Sequence, residues 1–302
     1  MSMPTIPNRN VPHNRSALPV SGAFERTVNV ARATRLRLSS HLKQFTKLII
    51  AAPLLVVAMH ASAADDLGLV QPGKLMVATE GTFPPFSMRS PDGKLDGLEI
   101  RVMTEVAKRL HLTYTPVLTK WDSLLVGLQA NQYDVISAAM DITPERQKNI
   151  LFSDGWLESG GRIITRKGSS IHTAADLKGK NVGAEVSSTF AKLAQEAGAN
   201  VKSYKSESDA MQDLVNGNLD AEITDAISAA YDIRTAHLPI VEAAYVSTLQ
   251  KGFAFKKDKR NLVEAVNKAL AAMVADGTYA KLTTPLVGYS PAPKKPILTL
   301  PN

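Results

Sequence analysis

Two hydrophobic periods alternate along this chain. Short apolar runs with strand character fall at 74–79, 113–118, 135–138, 162–165, 181–184, 201–204, 221–224 and 252–255. Apolar residues three and four apart predict helices over 99–110, 122–130, 190–197, 207–216, 226–234 and 261–275. In the first of these Val102, Met103, Val106, Ala107 and Leu110 share a face, and in the last Leu262, Val266, Leu270 and Met273 do. Strands interleaved with helices predict βαβ units and α/β layers. Pro91-Asp92-Gly93 predicts a hairpin-like turn and Asn216-Gly217-Asn218 a helix stop. Prolines 291, 293 and 296 cannot continue a helix, so 289–302 is expected to run as an extended tail.

One apolar stretch fits neither period. Leu48 to Met59 is preceded by a basic flank and followed by Ala61-Ser62-Ala63. That pattern predicts a cleavable secretory signal over 1–63, cut after Ala63. The run falls short of the roughly 20 apolar residues a membrane span needs, and no later run reaches that length. The leader also explains the formal charge of +7. Of 35 basic and 28 acidic residues, eight basic and one acidic lie within 1–63, leaving 27 of each in the remainder. A neutral body takes away the support that a high pI would give to a nucleic-acid partner. The chain has no cysteine, so an exported product rests on its apolar core rather than on disulfides. It also lacks a thiol for lipid attachment beside the cleavage site, and free release into a periplasm without stable membrane insertion is expected. The 239 residues that follow Ala63 suffice for two compact lobes.

In α/β sheets, ligands gather beyond the carboxyl ends of the strands. Glu80, Phe83 and Phe86 follow the strand at 74–79, and Trp121 follows that at 113–118. Ala139, Met140, Asp141, Thr143 and Arg146 follow 135–138, with Pro144 placed for a first helical turn and Thr143 for its N-cap. Glu185, Ser187, Ser188 and Thr189 follow 181–184, and Asp225 follows 221–224. Singly, each residue has an ordinary reading: Arg146 in a surface ion pair, Thr189 or Asp225 as helix caps, Phe86 in the core, the acids as solvated loop residues. Jointly they make one chemical set. Arg146 is a guanidinium fork suited to a carboxylate, and Thr189 opens a helix whose free amides favour an anion. Asp225 and Glu80 suit an ammonium, while Phe83 and Trp121 supply aromatic walls. The set describes a pocket for a zwitterion such as an α-amino acid. No metal or cofactor is expected: His111, His172 and His237 lie far apart in a chain without cysteine or a P-loop.

These residues sit in segments that resemble the bacterial solute-binding proteins of family 3, the polar amino acid uptake type. The likeness covers about 73–288 and is carried by Gly81-Thr82-Phe83-Pro84-Pro85-Phe86, Gly97-Leu98-Glu99-Ile100, Trp121-Asp122, Ile142-Thr143-Pro144-Glu145-Arg146, Phe152-Ser153-Asp154, the run from Asp176 to Gly183, and Ala275-Asp276-Gly277-Thr278-Tyr279. The resemblance implies a two-lobed periplasmic binding protein fold (type II), each lobe a mixed sheet flanked by helices, with two hinge strands near 158–160 and 248–251. It implies lobe 1 over 64–157 plus 252–288 and lobe 2 over 158–251, a monomer that closes on an amino acid, and delivery to the permease subunits of an ABC transporter. It further implies Arg146 and Thr189 as contacts of the ligand carboxylate, Asp225 of its ammonium, Phe83, Trp121 and Glu80 around its side chain, and Ala139 and Asp141 at the same strand end. Three departures stand out: Asp141 where a small hydroxyl is common, Ala138 and Ala139 where Ser or Gly is common, and Ser187 in place of Gly. Acid at Asp141 and Glu80 hints at a cationic side chain, although a buried acid equally accepts a neutral donor. The alternative is a periplasmic enzyme on the same fold, similar to the cyclohexadienyl (arogenate) dehydratases, with Glu80, Asp141 or Glu185 as the proton donor.

Overall fold

A computed structural model describes residues 67–300, so the leader over 1–63 and its expected cleavage site lie outside the described residues. The first part of the chain runs β1 (Lys74–Thr79), β2 (Met88–Arg89), β3 (Leu95–Asp96), α1 (Leu98–Arg109), β4 (Thr113–Leu118), a 3-10 turn at Trp121–Ser123, α2 (Leu124–Gln129), β5 (Val135–Ile136), α3 (Pro144–Gln147) and β6 (Leu151–Phe152). A short strand β7 (Leu157–Ser159) leads into β8 (Gly161–Arg166), β9 (Asn181–Glu185), α4 (Thr189–Glu196), β10 (Asn200–Tyr204), α5 (Glu207–Asn216), β11 (Ala221–Asp225), α6 (Ala226–Thr235) and β12 (Ile240–Tyr245). The chain then returns through β13 (Leu249–Lys251) to β14 (Ala254–Phe255), α7 (Arg260–Ala275) and α8 (Thr278–Val287).

Two five-stranded mixed sheets result, β4-β1-β5-β14-β6 and β10-β9-β11-β8-β12. In each, three neighbouring strands are parallel and two are antiparallel to them or to each other: β1 lies parallel to β4 and β5 while β14 opposes β5 and β6, and β9 lies parallel to β10 and β11 while β8 opposes β11 and β12. Between the sheets, β7 pairs antiparallel with β13, Leu157 opposite Lys251 and Ser159 opposite Leu249. The strands alternate sides as period two demands. Leu75 and Val77 of β1 enter one buried apolar cluster and Ala78 another, and Ile163 and Ile164 of β8 likewise divide between two clusters. Each sheet is therefore packed on both faces, as βαβ crossovers require. The lobes touch directly: Ser228 Oγ donates to the Pro84 carbonyl at 2.5 Å, Ser208 Oγ to that of Thr82 at 3.0 Å, and Arg234 Nη2 to that of Leu286 at 2.6 Å.

Several elements differ from the sequence pattern. The expected helix at 122–130 begins as a 3-10 turn and becomes α-helical only at Leu124. The expected strand at 252–255 keeps only Ala254–Phe255, because Lys251 still belongs to β13 and Gly252 packs against Ile142 and Phe152 with no room for a Cβ. β5 stops at Ile136, two residues early. β12 and α8 carry no sequence expectation; α8 has Pro285 inside and starts after left-handed Gly277. The turn and the helix stop are where the sequence puts them, in the β2–β3 hairpin and at Gly217 with φ +88. Among the described residues no helix is long and apolar enough to cross a membrane.

Candidate functional site

Local rules place each side chain. Thr143 caps α3, its Oγ1 accepting from the Arg146 amide at 3.2 Å, with Pro144 at the first helical position. That short helix turns the Arg146 side chain back toward the end of β5. There Arg146 Nη1 donates to the Asp141 carbonyl at 3.1 Å, and the guanidinium lies over the Trp121 ring, 5.4 Å from its centre. No carboxylate among the described residues pairs with it. Burial lowers the Arg146 pKa, and Asp141 opposes that shift.

The loop after β5 is held from below. Gly97 at the N-cap of α1 adopts φ +134, and a Cβ there would stand 2.2 Å from the Phe86 carbonyl oxygen. This close approach lets α1 begin beneath the loop and buries Glu99 completely, so that its carboxyl accepts from the Ala139 amide. Ala139 itself takes φ +43. Burial raises the Glu99 pKa to about 8.

A small, nearly closed cavity of about 10 Å³ lies between the lobes. From the first lobe Phe83, Trp121, Ala138, Ala139, Asp141 and Arg146 line it; from the second, Glu185, Ser188, Thr189 and Phe190. Ser188, not Thr189, caps α4, its Oγ accepting from the Ala191 amide. This leaves the Thr189 hydroxyl to cross the cleft and donate to Asp141 Oδ2. Ser187, where a glycine is common, holds φ +58, a conformation that favours glycine. Glu80 and Glu185 meet across the lobes. Burial, above all, raises Glu80 to about 7 and Glu185 further still; the Glu80 charge and the shared hydrogen bond add to the rise at Glu185, whereas that hydrogen bond lowers Glu80. The pair thus holds a proton near neutral pH.

Asp225 stands apart from the cavity wall. Fully buried, it caps α6 by accepting from the Ile227 amide at 2.8 Å, and it accepts from Ser159 Oγ at 2.6 Å. Its second oxygen faces the ammonium of Lys251 at 2.9 Å, and the same ammonium lies 2.5 Å from Asp141 Oδ1. Burial alone would lower the Lys251 pKa; the two carboxylates outweigh it and hold it above the ordinary value. Sequence reasoning missed both Lys251 and Glu99. Asp141, a cavity residue, also answers Lys251 within the protein. The available signal was an acid without a counter-ion at 141 and a lysine directly before a buried strand.

The family model for bacterial extracellular solute-binding proteins, family 3, matches residues 75–288. The L-cystine-binding protein TcyJ of Escherichia coli strain K12 is 34% identical over 254 residues, covering 81% of this chain and 95% of that protein. The ABC transporter arginine-binding protein 1 of the same organism is 32% identical over 245 residues, covering 78% and 97%. Among solved structures, an ancestral amino acid-binding protein described as a precursor of cyclohexadienyl dehydratase superposes with a TM-score of 0.68 at 31% identity, covering 71% of this chain and 96% of that one. The curated relatives are binding proteins, which leaves the dehydratase alternative without support among them. With its two mixed sheets and a family match spanning most of its length, the chain belongs to the bacterial extracellular solute-binding proteins of family 3.

Proposed function

We propose that this protein is the periplasmic binding component of an ATP-driven transporter, capturing a polar amino acid by closure of its lobes about β7 and β13 and presenting it to the membrane permease subunits. The observation that carries this reading is Arg146, a guanidinium at the cavity wall with only a backbone carbonyl as acceptor. A desolvated cation of this kind favours a bidentate carboxylate. Thr189 and the amides opening α4 add contacts from the other lobe, so the ligand gains most when the lobes meet, which is what ligand-driven closure requires. Phe83 and Trp121 wall the slot, Ala139 and Asp141 form its floor, and the Glu80–Glu185 pair offers a place for a donor or cation at the side-chain end. Cystine- and arginine-binding relatives are consistent with a polar ligand.

A micromolar ligand needs about 8 kcal/mol, and charge-assisted hydrogen bonds supply about 1.5–3 kcal/mol each, so a few such contacts suffice. The test is a thermal-shift screen of amino acids followed by calorimetry on the wild type and R146A. Folded R146A should bind at least tenfold more weakly, since truncating one member of a desolvated charge pair costs about 2–5 kcal/mol. Equal affinity for the two proteins would overturn the assignment.

A further inference from the structure

Lys251 is the one buried ammonium at the meeting of the two lobes among the described residues, only 1% exposed. It joins Asp141 of the first sheet's loop to Asp225 at the end of the second sheet's β11. Both oxygens of Asp141 and both of Asp225 face a partner, Asp225 Oδ2 through an ion pair with Lys251 rather than an aligned hydrogen bond. Asp141 receives Lys251 on one oxygen and the Thr189 hydroxyl on the other. Asp225 receives Ser159 and the Ile227 amide on one oxygen and Lys251 on the other. Two carboxylates converging from opposite lobes form the natural seat for a ligand ammonium, and here that seat is occupied by the protein's own.

Lys251 has nowhere else to go. Its backbone is fixed in β13 opposite Leu157, and its carbonyl accepts from the Trp156 amide at 3.0 Å. Its remaining neighbour is the Phe190 ring, 5.3 Å away. A ligand ammonium that displaced it would leave a desolvated cation without a carboxylate, at a cost that a single exchanged ion pair does not offset. The cavity wall agrees with this arrangement, for it includes Asp141 but neither Lys251 nor Asp225.

We propose that Lys251 is a specificity-determining residue: it permanently fills the acid pair of Asp141 and Asp225, so the pocket reads a carboxylate through Arg146 without reading an ammonium on the adjacent carbon. The ligand class is then a small carboxylate whose polar or cationic group lies at the far end, toward Glu185. This rests on the Arg146 reading above and departs from the role that family resemblance implies for Asp225.

The test compares matched probes that differ only in the α-ammonium: L-arginine with 5-guanidinopentanoate, and L-cystine with 3,3′-dithiodipropionate. Calorimetry on the wild type should give affinities within about threefold for whichever pair binds. In K251M, where the acid pair is free, the α-amino member should gain at least a tenfold preference. A tenfold preference already present in the wild type overturns the proposal while leaving the Arg146 reading intact. Binding by none of the four probes, nor by any other amino acid or its des-amino counterpart, overturns both. Should K251M fail to fold, the wild-type comparison decides alone.

Discussion

At the scale of single residues, the site depends on groups that never touch its cavity. Glu99 has one oxygen on the Ala139 amide and the other without a partner, and it is fully buried. Because burial lifts it to about 8, it is neutral at pH 7 and its task is to accept one hydrogen bond. Glu99→Gln keeps that acceptor without a charge and should cost under about 1 kcal/mol. Glu99→Ala strands the Ala139 amide, at about 1–3 kcal/mol, and opens a cavity besides. Urea unfolding should find Glu99→Ala the less stable of the two by about 1–3 kcal/mol; equal stabilities would show that the contact is dispensable. Glu99 also marks the limit of legibility at this scale. The strand-end residues that line the cavity are recognisable because strand ends and capping boxes leave marks in sequence. Glu99 and Lys251 act from beneath, through burial and distance, and neither property is written into a one-dimensional pattern. Ser187 is the reverse case, since its departure from glycine is visible in sequence and its φ of +58 shows why glycine is the common residue there.

At the scale of elements, the long periodic helices α1, α5 and α7 were legible to within a residue or two, because each buries an apolar stripe, six residues in α1 and α7 and three in α5. β7 and β13 were not legible in the hydrophobic pattern; only the family resemblance implied hinge strands near 158–160 and 248–251. Each has three residues, with Glu158 and Lys251 among them, and no alternation to read. Their stability comes from elsewhere, in part from the extended tail. The Glu158 amide donates to the Pro291 carbonyl at 3.0 Å, Gln250 Nε2 donates to that of Lys295 at 3.0 Å, and Gln250 Oε1 accepts from the Ile297 amide at 2.8 Å. Gly155 and Phe152 are bonded to Ile297 and Thr299 in the same way. The tail therefore straps both connecting strands to the first lobe. Removing residues 291–302 should lower the melting temperature by roughly 5 °C or more, taking about 0.5–1.5 kcal/mol per net hydrogen bond and about 2–4 °C per kcal/mol at this size. Amide exchange should quicken at Gly155 and Glu158. A truncated protein that melts with the wild type and keeps those amides protected would rule out the strap.

At the scale of the whole molecule, the buried acids set how stability depends on pH. Glu80 is raised to about 7, Glu99 to about 8, Asp232 to about 6 and Glu185 to about 10, chiefly by burial, and Glu207 and Glu222 are raised well above the ordinary carboxylate range. Glu80 faces Glu185 and Asp122, Glu207 faces Asp232 and Asp225, and Glu222 faces Glu207, Asp232 and Glu185. The sign follows from proton counting. A carboxyl whose pKa is higher folded than unfolded holds a proton in the native state that the unfolded chain has released. Its contribution is complete below the unfolded pKa and is lost as pH rises through the folded one. The exposed acids that are lowered, such as Asp276 and Asp176, act in the opposite sense, but only below the ordinary carboxylate range. Lys251, raised above its ordinary value, loses its contribution only in strong alkali. Between about pH 5 and pH 8 the buried acids therefore act alone among these groups, and stability should fall steadily, by up to ~1.4 kcal/mol per pH unit for each proton retained. Urea midpoints should be higher at pH 5.5 than at pH 8, and Glu185→Gln, which removes one member of the Glu80–Glu185 pair, should flatten the slope. Stability that rises across this interval would mean that the carboxyls are ionised in the folded protein, and the two lobes could then not meet through Glu80 and Glu185 without a cation between them.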